Sequence, residues 1–245
     1  MPKQLQATSR RFRFSYGAPE RANWREQNEG KRLSHSSPNQ NVYTFGGFMP
    51  CTLLDPATVI AMPWKNGGGT TLQLAISPKG AGLADFDWRI SSAQVAVDGA
   101  FSSFPGIDRS LAVLAGNGLR LQREDGRIET LHRDGAIAVF DGEETISAQL
   151  LDGPITDLNL MTRRGVWQHE LHAVKLPGEL RLENDAEVLL LWNAGQNAVA
   201  VNTGDMVRQL AAGCSLLLEN EPGPLQLQAP APGLLFIARL NRLAA

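Results

Sequence analysis

The chain has 245 residues, of which 43% are hydrophobic and 20% charged, and a formal net charge of −2. This length is sufficient for one large domain or two small ones with a buried core. The near-neutral charge favours neither nucleic acid nor an anionic membrane surface as a partner. No apolar run approaches the roughly 18 residues of a membrane-spanning helix. Two cysteines, Cys51 and Cys214, are too few for a disulfide framework, which favours a reduced, cytoplasmic protein.

Residues 1–48 differ in composition from the rest of the chain. They hold eight Lys or Arg against three Glu, a net charge of +5, so the remainder carries −7. Because the segment has no hydrophobic period, we predict a basic, solvated and disordered extension, with nucleic-acid binding as the alternative. Arg10-Arg11 is similar to a twin-arginine export signal, but no apolar stretch follows, so export is not expected.

From residue 53 onward, short apolar runs alternate with turn signals rich in Gly, Pro, Asn and Asp. Helical periodicity is nearly absent, so we predict an all-β sandwich or barrel. The predicted strands are 72–76, 88–97, 111–114, 136–140, 155–161, 188–192, 198–201, 215–218 and 234–240.

An internal repeat divides this β region. Gly135 and Gly213 begin equivalent strands, and the strand 24 positions after each glycine is also equivalent. We therefore predict two similar β units, residues 49–165 and 166–245. The second unit is the more apolar, so the functional site is expected in the first.

Polar side chains interrupt the inward-facing pattern of the strand 88–97. Alternation puts Arg89 and Ser91 on one face with Ala93 and Val95. A face that is apolar at one end and polar at the other is typical of a barrel with a solvent-accessible opening. The alternative is an Arg89 side chain that points to solvent or pairs with Asp87.

The strand that begins at residue 155 has a similar pattern. Asp157, Asn159 and Met161 share one face, and Leu158 and Leu160 share the other. If the leucines pack between sheets, the polar face lines a pocket; the alternative is an ordinary half-exposed strand.

Asp108 and Arg109 follow a Pro105-Gly106 turn at the start of another strand. A guanidinium at this position is suited to hold a carboxylate through two hydrogen bonds. The alternative is a surface pair between Asp108 and Arg109, which would contribute little.

A cluster of three glycines is the most distinctive local feature. Consecutive glycines are costly unless the backbone adopts unusual angles or approaches another group closely, and exposed amides in such a loop bind anions. The sequence is no nucleotide P-loop, because Gly-Lys-Ser/Thr is missing; a flexible hairpin loop is the alternative. The segment is Trp64-Lys65-Asn66-Gly67-Gly68-Gly69.

No residue set predicts a metal, a cofactor or a covalent nucleophile. His169 and His172 are the only close histidine pair, and their spacing suits neither a helical nor a strand metal site, so we predict a solvated turn there. Neither cysteine has a histidine neighbour in the sequence.

Four motifs occur in order within residues 49–245, at 63–69, 86–91, 101–109 and 157–161. Their order and spacing resemble those of the HutD/Ves family, and the three glycines after Trp-Lys-Asn are the most specific part. One departure is Gln73, where the resemblance implies a glutamate. It also implies a bicupin fold, meaning two fused small antiparallel β-barrels of the jelly-roll type, in agreement with the internal repeat.

The resemblance further implies a barrel without a metal. Counting back from the turn at Gly116, the ligand positions of metal-binding cupins fall on Ser102, Phe104 and Arg109, and the histidine of the second cupin motif falls near Thr145. None of these is a convincing metal ligand, and an arginine repels cations. Family members are associated with modulation of histidine utilisation or with stress response rather than with an established reaction.

Our leading hypothesis is a binding protein for a small polar or anionic metabolite, such as the histidine-degradation intermediates urocanate or formylglutamate. Arg89 and Arg109 would pair with the anion, Asn66 and Asn159 would supply hydrogen bonds, and Trp64 would cover the ligand. The full predicted site is Trp64, Lys65, Asn66, Gly67, Gly68, Arg89, Ser91, Asp108, Arg109, Asp157, Asn159 and Met161.

Two other hypotheses stay open. The first is a metal-independent isomerase or hydrolase, with Asp157 as general base and Lys65 or Arg89 stabilising developing negative charge. The second is a purely structural or oligomerisation role, and a homodimer is compatible with either.

Overall fold

The computed structural model describes residues 14–15, 51–64, 67–204 and 206–244. The predicted all-β class is confirmed, since the helical structure of the described residues is one short 3-10 turn, Pro56–Thr58. All nine predicted strands are present. The strands are β1 (Phe14–Ser15), β2 (Cys51–Leu54), β3 (Ala61–Pro63), β4 (Gly69–Ser77), β5 (Trp88–Val95), β6 (Gly99–Ala100), β7 (Ile107–Ala115), β8 (Leu119–Arg123), β9 (Ile128–Leu131), β10 (Ile137–Asp141), β11 (Ile146–Leu150), β12 (Ile155–Arg163), β13 (Trp167–Leu176), β14 (Glu179–Asn184), β15 (Val188–Asn193), β16 (Val199–Asn202), β17 (Val207–Leu210), β18 (Ser215–Glu219), β19 (Gly223–Gln228) and β20 (Gly233–Arg242).

Two barrels are each built from a pair of antiparallel sheets. The first combines the order β10-β7-β12-β5-β4-β3 with the order β6-β11-β8-β9. The second combines β13-β20-β15-β18-β2 with β1-β14-β19-β16-β17. Each barrel has its own apolar core, centred on residues such as Leu111, Leu121 and Ile146 in the first and Leu182, Leu189 and Leu216 in the second.

The predicted division at residue 165 falls in the turn between β12 and β13. One strand departs from that division, because β2 pairs with β18 of the second barrel rather than with the first. Within residues 1–48, the structure describes only Phe14–Ser15, which pair with Leu182 and Arg181 of β14. The rest of the predicted extension lies outside the described residues.

The sheet that carries β5, β7 and β12 is buried on both faces. Its outer face, with Trp88 and the two leucines of β12, packs on apolar residues of the second barrel. The Trp88 and Trp167 rings meet edge to face, with centroids 6.4 Å apart. This confirms that Leu158 and Leu160 pack between sheets, and it leaves the opposite face of the same strands to line the first barrel.

The predicted solvated turn at His169 and His172 is wrong. Both lie in β13, which pairs with β20 along its whole length. The His169 ring shares hydrogen bonds with two hydroxyl groups, Nε2 with that of Ser110 (2.9 Å) and Nδ1 with that of Thr162 (2.6 Å), one nitrogen donating and the other accepting. Burial lowers the pKa of His169 to about 4, so at neutral pH it is a neutral link between the barrels.

Within the described residues, no helix has both the length and the apolar character needed to cross a membrane.

Candidate functional site

The polar side chains of β5, β7 and β12 form three rows across one face of the sheet. The strand register places Arg89, Met161 and Arg109 in the first row and Ser91, Asn159 and Leu111 in the second. The third row holds Ala93, Asp157 and Val113. Neighbouring strands lie about 4.8 Å apart and same-face residues about 6.7 Å apart, so the rows cover about 10 by 13 Å.

Strand β4 extends the second and third rows. Gln73 pairs with Ser91, and Thr71 pairs with Ala93. Six predicted residues therefore share one surface, which we call the recess. They are Arg89, Ser91, Arg109, Asp157, Asn159 and Met161.

Asp108 does not belong to the recess, which corrects its predicted place in the site. It lies on the opposite face of β7 from Arg109, and its Oδ1 accepts a hydrogen bond from Nε of Arg164 at 2.6 Å. The proposed surface pair between Asp108 and Arg109 is also wrong, because Arg109 is only 2% exposed. Lys65 and Asn66 lie outside the described residues.

The glycine loop connects β3 and β4, and glycine is required at positions 67 and 69 for different physical reasons. Gly67 has a left-handed φ of 71°. At Gly69, a Cβ would lie 2.3 Å from the Gln94 carbonyl oxygen and 3.1 Å from the Trp64 ring. Both expected causes, an unusual backbone angle and a close approach, are therefore present, and the tight hairpin keeps Trp64 beside the recess.

Hydrogen bonds hold Trp64 in place and occupy several backbone groups of the glycine loop. The Trp64 indole Nε1–H donates to the Thr71 hydroxyl at 2.7 Å, at the third row. The Gly67 amide donates to the Trp64 carbonyl at 3.0 Å, and the Gly68 carbonyl accepts from the Ala96 amide at 2.9 Å. The Gly67 amide is thus committed to the turn and does not point an unused donor at the recess.

Arg109 is held in an aromatic cage that sequence patterns did not reveal. Its guanidinium carbon lies 5.1, 5.6 and 4.9 Å from the ring centroids of Phe101, Phe104 and Phe140. Nη1 donates to the Ser102 carbonyl at 3.1 Å, whereas Nε is buried without a hydrogen-bond partner. Cation–π contacts offset part of the cost of burying this charge.

Arg89 lies across Met161 from Arg109 and is 6% exposed. Its Nε donates to Gln73 Oε1 at 3.1 Å, and its Nη1 approaches the Met161 sulfur at 3.8 Å. It does not pair with Asp87, whose carboxylate lies instead near Arg163. Burial lowers the pKa of both recess arginines, that of Arg109 to about 10, so both are cationic at neutral pH.

Asp157 is the carboxyl group of the recess and is 2% exposed. Its Oδ1 accepts a hydrogen bond from the Ala93 amide at 3.0 Å. Burial raises its pKa to about 7, against the opposing effects of that hydrogen bond and of the charges on Arg109 and Arg89. At neutral pH the recess therefore holds two full positive charges and a carboxyl group that is only partly ionised.

Two further observations concern the access of solvent to Asn159 and the polar atoms of the recess that have no partner. Asn159 is partly exposed although it lies on the central strand, so solvent reaches the barrel interior at this point. Its Oδ1 is nevertheless buried without a partner. A buried acceptor and a buried donor without partners are expensive unless a bound molecule satisfies them.

The described residues contain no group of three or more His, Cys, Asp or Glu side chains that could hold a metal ion. The polar groups of the recess are two guanidiniums, an amide, a hydroxyl and one titrating carboxyl group. The recess is suited to hold an anion, and a carboxylate is the group that guanidinium geometry matches best.

Ionisation of Asp157 should make the fold less stable as pH rises. Its folded pKa of about 7 exceeds the ordinary value of 3.8. At pH values between these two, the folded chain keeps a proton that the unfolded chain releases. The stabilisation is full below about pH 4 and declines by at most about 1.4 kcal/mol per pH unit until about pH 7. Asp157→Asn removes this dependence, so urea unfolding should show the wild type losing stability relative to the variant across that interval.

Asp98→Asn is the matched control, because Asp98 also accepts a backbone hydrogen bond, from the Leu150 amide at 2.8 Å, but is exposed. Its difference from the wild type should not follow the same curve. A wild-type-minus-Asp157→Asn difference that stays constant from about pH 4 to 8 would contradict the raised pKa.

Comparison with known proteins places this chain in a family. The family model described as HutD matches residues 57–237. An uncharacterised 21.2 kDa protein from the hutC 3′ region of Pseudomonas putida is 35% identical over 167 residues, 68% of this chain and 86% of that protein. Protein Ves of Escherichia fergusonii is 38% identical over 101 residues, 41% of this chain and 51% of that protein.

Solved structures agree. A conserved protein of unknown function from Pseudomonas aeruginosa PAO1 superposes with a TM-score of 0.72 at 34% identity, covering 78% of this chain and 98% of that one. HutD from Pseudomonas fluorescens SBW25 superposes with a TM-score of 0.69 at 26% identity, covering 79% of this chain and 100% of that one. Ylba from E. coli superposes with a TM-score of 0.62 at 9% identity, covering 80% of this chain and 93% of that one, which shows the shared fold. The resemblance to HutD/Ves proteins is thus confirmed, and this two-barrel chain belongs to the HutD family.

Proposed function

We propose that the first barrel binds a small carboxylate metabolite in the recess, between Arg89 and Arg109. The observation that carries this proposal is that both guanidiniums are buried and neither forms an ion pair within the described residues. Several carboxylates of the described chain pair with other arginines, for example with Arg123 and Arg164. A carboxylate ligand would supply the missing negative charge.

The energetic argument concerns the cost of buried charge. An unpaired cation removed from water is expensive, and the aromatic cage around Arg109 offsets only part of that cost. The neutral Gln73 beside Arg89 and the partly protonated Asp157 leave the recess positive at neutral pH. An anion bridging the two arginines would accept from the unpartnered Nε of Arg109, which a neutral ligand would satisfy less well.

The other recess groups suit the uncharged part of such a ligand. Asn159 and Ser91 face it from the second row, and Trp64 lies beside the third row. We propose Lys65 and Asn66 as contacts from the adjoining loop on sequence grounds. Because one relative is encoded in the hutC 3′ region and another is named HutD, urocanate and formylglutamate are the first compounds to examine, with modulation of histidine utilisation as the proposed role.

Replacing Arg109 should remove most of the affinity for carboxylates. Arg109→Met keeps an unbranched apolar stem among the three phenylalanines but deletes the charge and its donors. Charge-assisted hydrogen bonds contribute about 1.5–3 kcal/mol, so affinity should fall about 10- to 100-fold. Calorimetric titration with formate, urocanate and N-formylglutamate is the measurement, with the corresponding neutral amides as ligand controls.

Arg120→Met is the control variant, since Arg120 lies on the exposed face of β8 and contacts Gln149. Thermal melts establish that both variants are folded. The proposal fails if no carboxylate binds the wild type, or if Arg109→Met binds as tightly as Arg120→Met.

Changing Gln73 to the glutamate expected from the resemblance should weaken anion binding. Gln73 Oε1 lies 3.1 Å from Arg89 Nε, so Gln73→Glu would place an internal carboxylate on that guanidinium. Competition with the ligand should lower the affinity about tenfold or more. Gln149→Glu is the matched control, because Gln149 accepts a hydrogen bond from Arg120 at an exposed site. Equal or tighter binding by Gln73→Glu would argue against a ligand anion at Arg89.

A metal-independent isomerase or hydrolase is the second candidate function. The observation that favours it is the pKa of about 7 for Asp157, close to the optimum for a general base at neutral pH. Arg89 or Lys65 would stabilise developing negative charge. Incubation with the same carboxylates should then give a product with the wild type and none with Asp157→Asn, whose ligand binding persists. Binding without turnover by the wild type would leave the first proposal and remove this one.

A further inference from the structure

We propose that anion binding in the recess is coupled to proton uptake by Asp157, so that affinity for carboxylates depends on pH near neutrality. This inference rests on the proposed function, since it concerns the same recess. It adds a property that does not follow from two arginines alone, namely that the recess changes its own charge when it is filled.

The position of Asp157 makes this coupling possible. It lies on the central strand β12, on the same face as Asn159, two rows from the arginines. Its hydrogen bond from the Ala93 amide persists whether the carboxyl group is ionised or protonated, because Oδ1 can accept in both states. The group is buried, so its charge interacts strongly with other charges in the barrel.

The described charged groups that face Asp157 are Arg89 from β5 and Arg109 from β7. Strand β4 contributes the neutral Thr71 and Gln73. The short sheet contributes Arg123 from β8, but that guanidinium pairs with both Glu129 and Glu144, each at 2.9 Å, so this cluster adds no net positive charge. The hydrogen bond from the Ala93 amide and these two uncompensated cations are therefore what favours the ionised carboxylate of Asp157 against burial.

A carboxylate ligand changes both sides of this balance. By pairing with Arg89 and Arg109, it weakens the field that keeps Asp157 ionised. It also adds a negative charge in the same low-dielectric space, which raises the pKa of a neighbouring carboxyl group. Asp157 then accepts a proton from solvent, and its new O–H becomes a donor for a ligand acceptor.

The sign of the pH dependence follows from the free and bound pKa values of Asp157. Below about pH 7 the free protein already carries the proton, so affinity is high and nearly constant. Above that value and up to the higher pKa of the complex, binding requires uptake of one proton. Affinity then falls by up to about tenfold per pH unit.

Calorimetry in buffers of different ionisation enthalpy measures the number of protons taken up. N-formylglutamate is the probe, because its two carboxyl groups are ionised at neutral pH and it has no group that titrates between about pH 6 and 9. For the wild type we expect an uptake approaching one proton at about pH 8 and less at about pH 6. Asp157→Asn should bind with no uptake, and Asp98→Asn should match the wild type.

The possible outcomes separate this inference from the proposed function. Binding by the wild type without proton uptake, or uptake that persists in Asp157→Asn, overturns the coupling and leaves the binding site standing. Absence of binding by the wild type overturns both. If Asp157→Asn does not fold, the wild-type affinity profile from about pH 6 to 9 decides instead. A flat profile overturns the coupling, and a decline that begins near pH 7 supports it.

Discussion

Burial of β12 on both faces is the constraint on which the rest of the molecule depends. One face, with Leu158 and Leu160, packs on the second barrel, and the other lines the first. A strand enclosed in this way has little tolerance for polar groups, so each one it carries needs either a partner or a function. Asp157 and Asn159 are therefore informative because of where the strand lies, rather than because of their chemistry alone.

The second barrel has a clear physical role in this arrangement. Its apolar surface, which includes Trp192 and Phe236, covers the outer face of the sheet that carries the recess. His169 adds hydrogen bonds to Ser110 and Thr162, which neighbour Arg109 and Met161 along β7 and β12. The second barrel thus supports the recess from behind, in keeping with its more apolar sequence.

The fold was largely predictable because strands in a two-barrel protein carry strong local signals. Apolar runs that are buried on both faces, such as 188–192, were identified directly. Strands β8 and β14 were missed because the prediction followed continuous apolar runs, whereas the apolar residues of these two strands alternate with polar ones. The pairing of β2 with β18 was not predictable, because partners separated by more than 160 residues leave no trace in local sequence.

The candidate site was predictable in part for the same reason. Alternation correctly grouped Arg89 with Ser91, and Asp157 with Asn159, because residues two apart on a strand share a face. Periodicity cannot bring separate strands together, so the contact of Gln73 with Arg89 and the cage of Phe101, Phe104 and Phe140 were not predicted. The predicted place of Asp108 is wrong because adjacent strand residues point in opposite directions, so the neighbour of Arg109 in sequence faces away from the recess.

The chemistry of the recess differs in kind from that of a metal-centred barrel. Two of the positions where the resemblance would place metal ligands have other roles here. Arg109 carries a positive charge on its own side chain, and Phe104 forms part of the aromatic cage around it. A guanidinium fixed among aromatic rings offers directional donors, and with a pKa of about 10 it remains charged across the physiological range. The variable charge is that of Asp157, which titrates near neutrality. Permanent cations beside one titrating carboxyl group give the recess a net charge that stays positive while its size changes with pH, and this follows from which groups β5, β7 and β12 bury together.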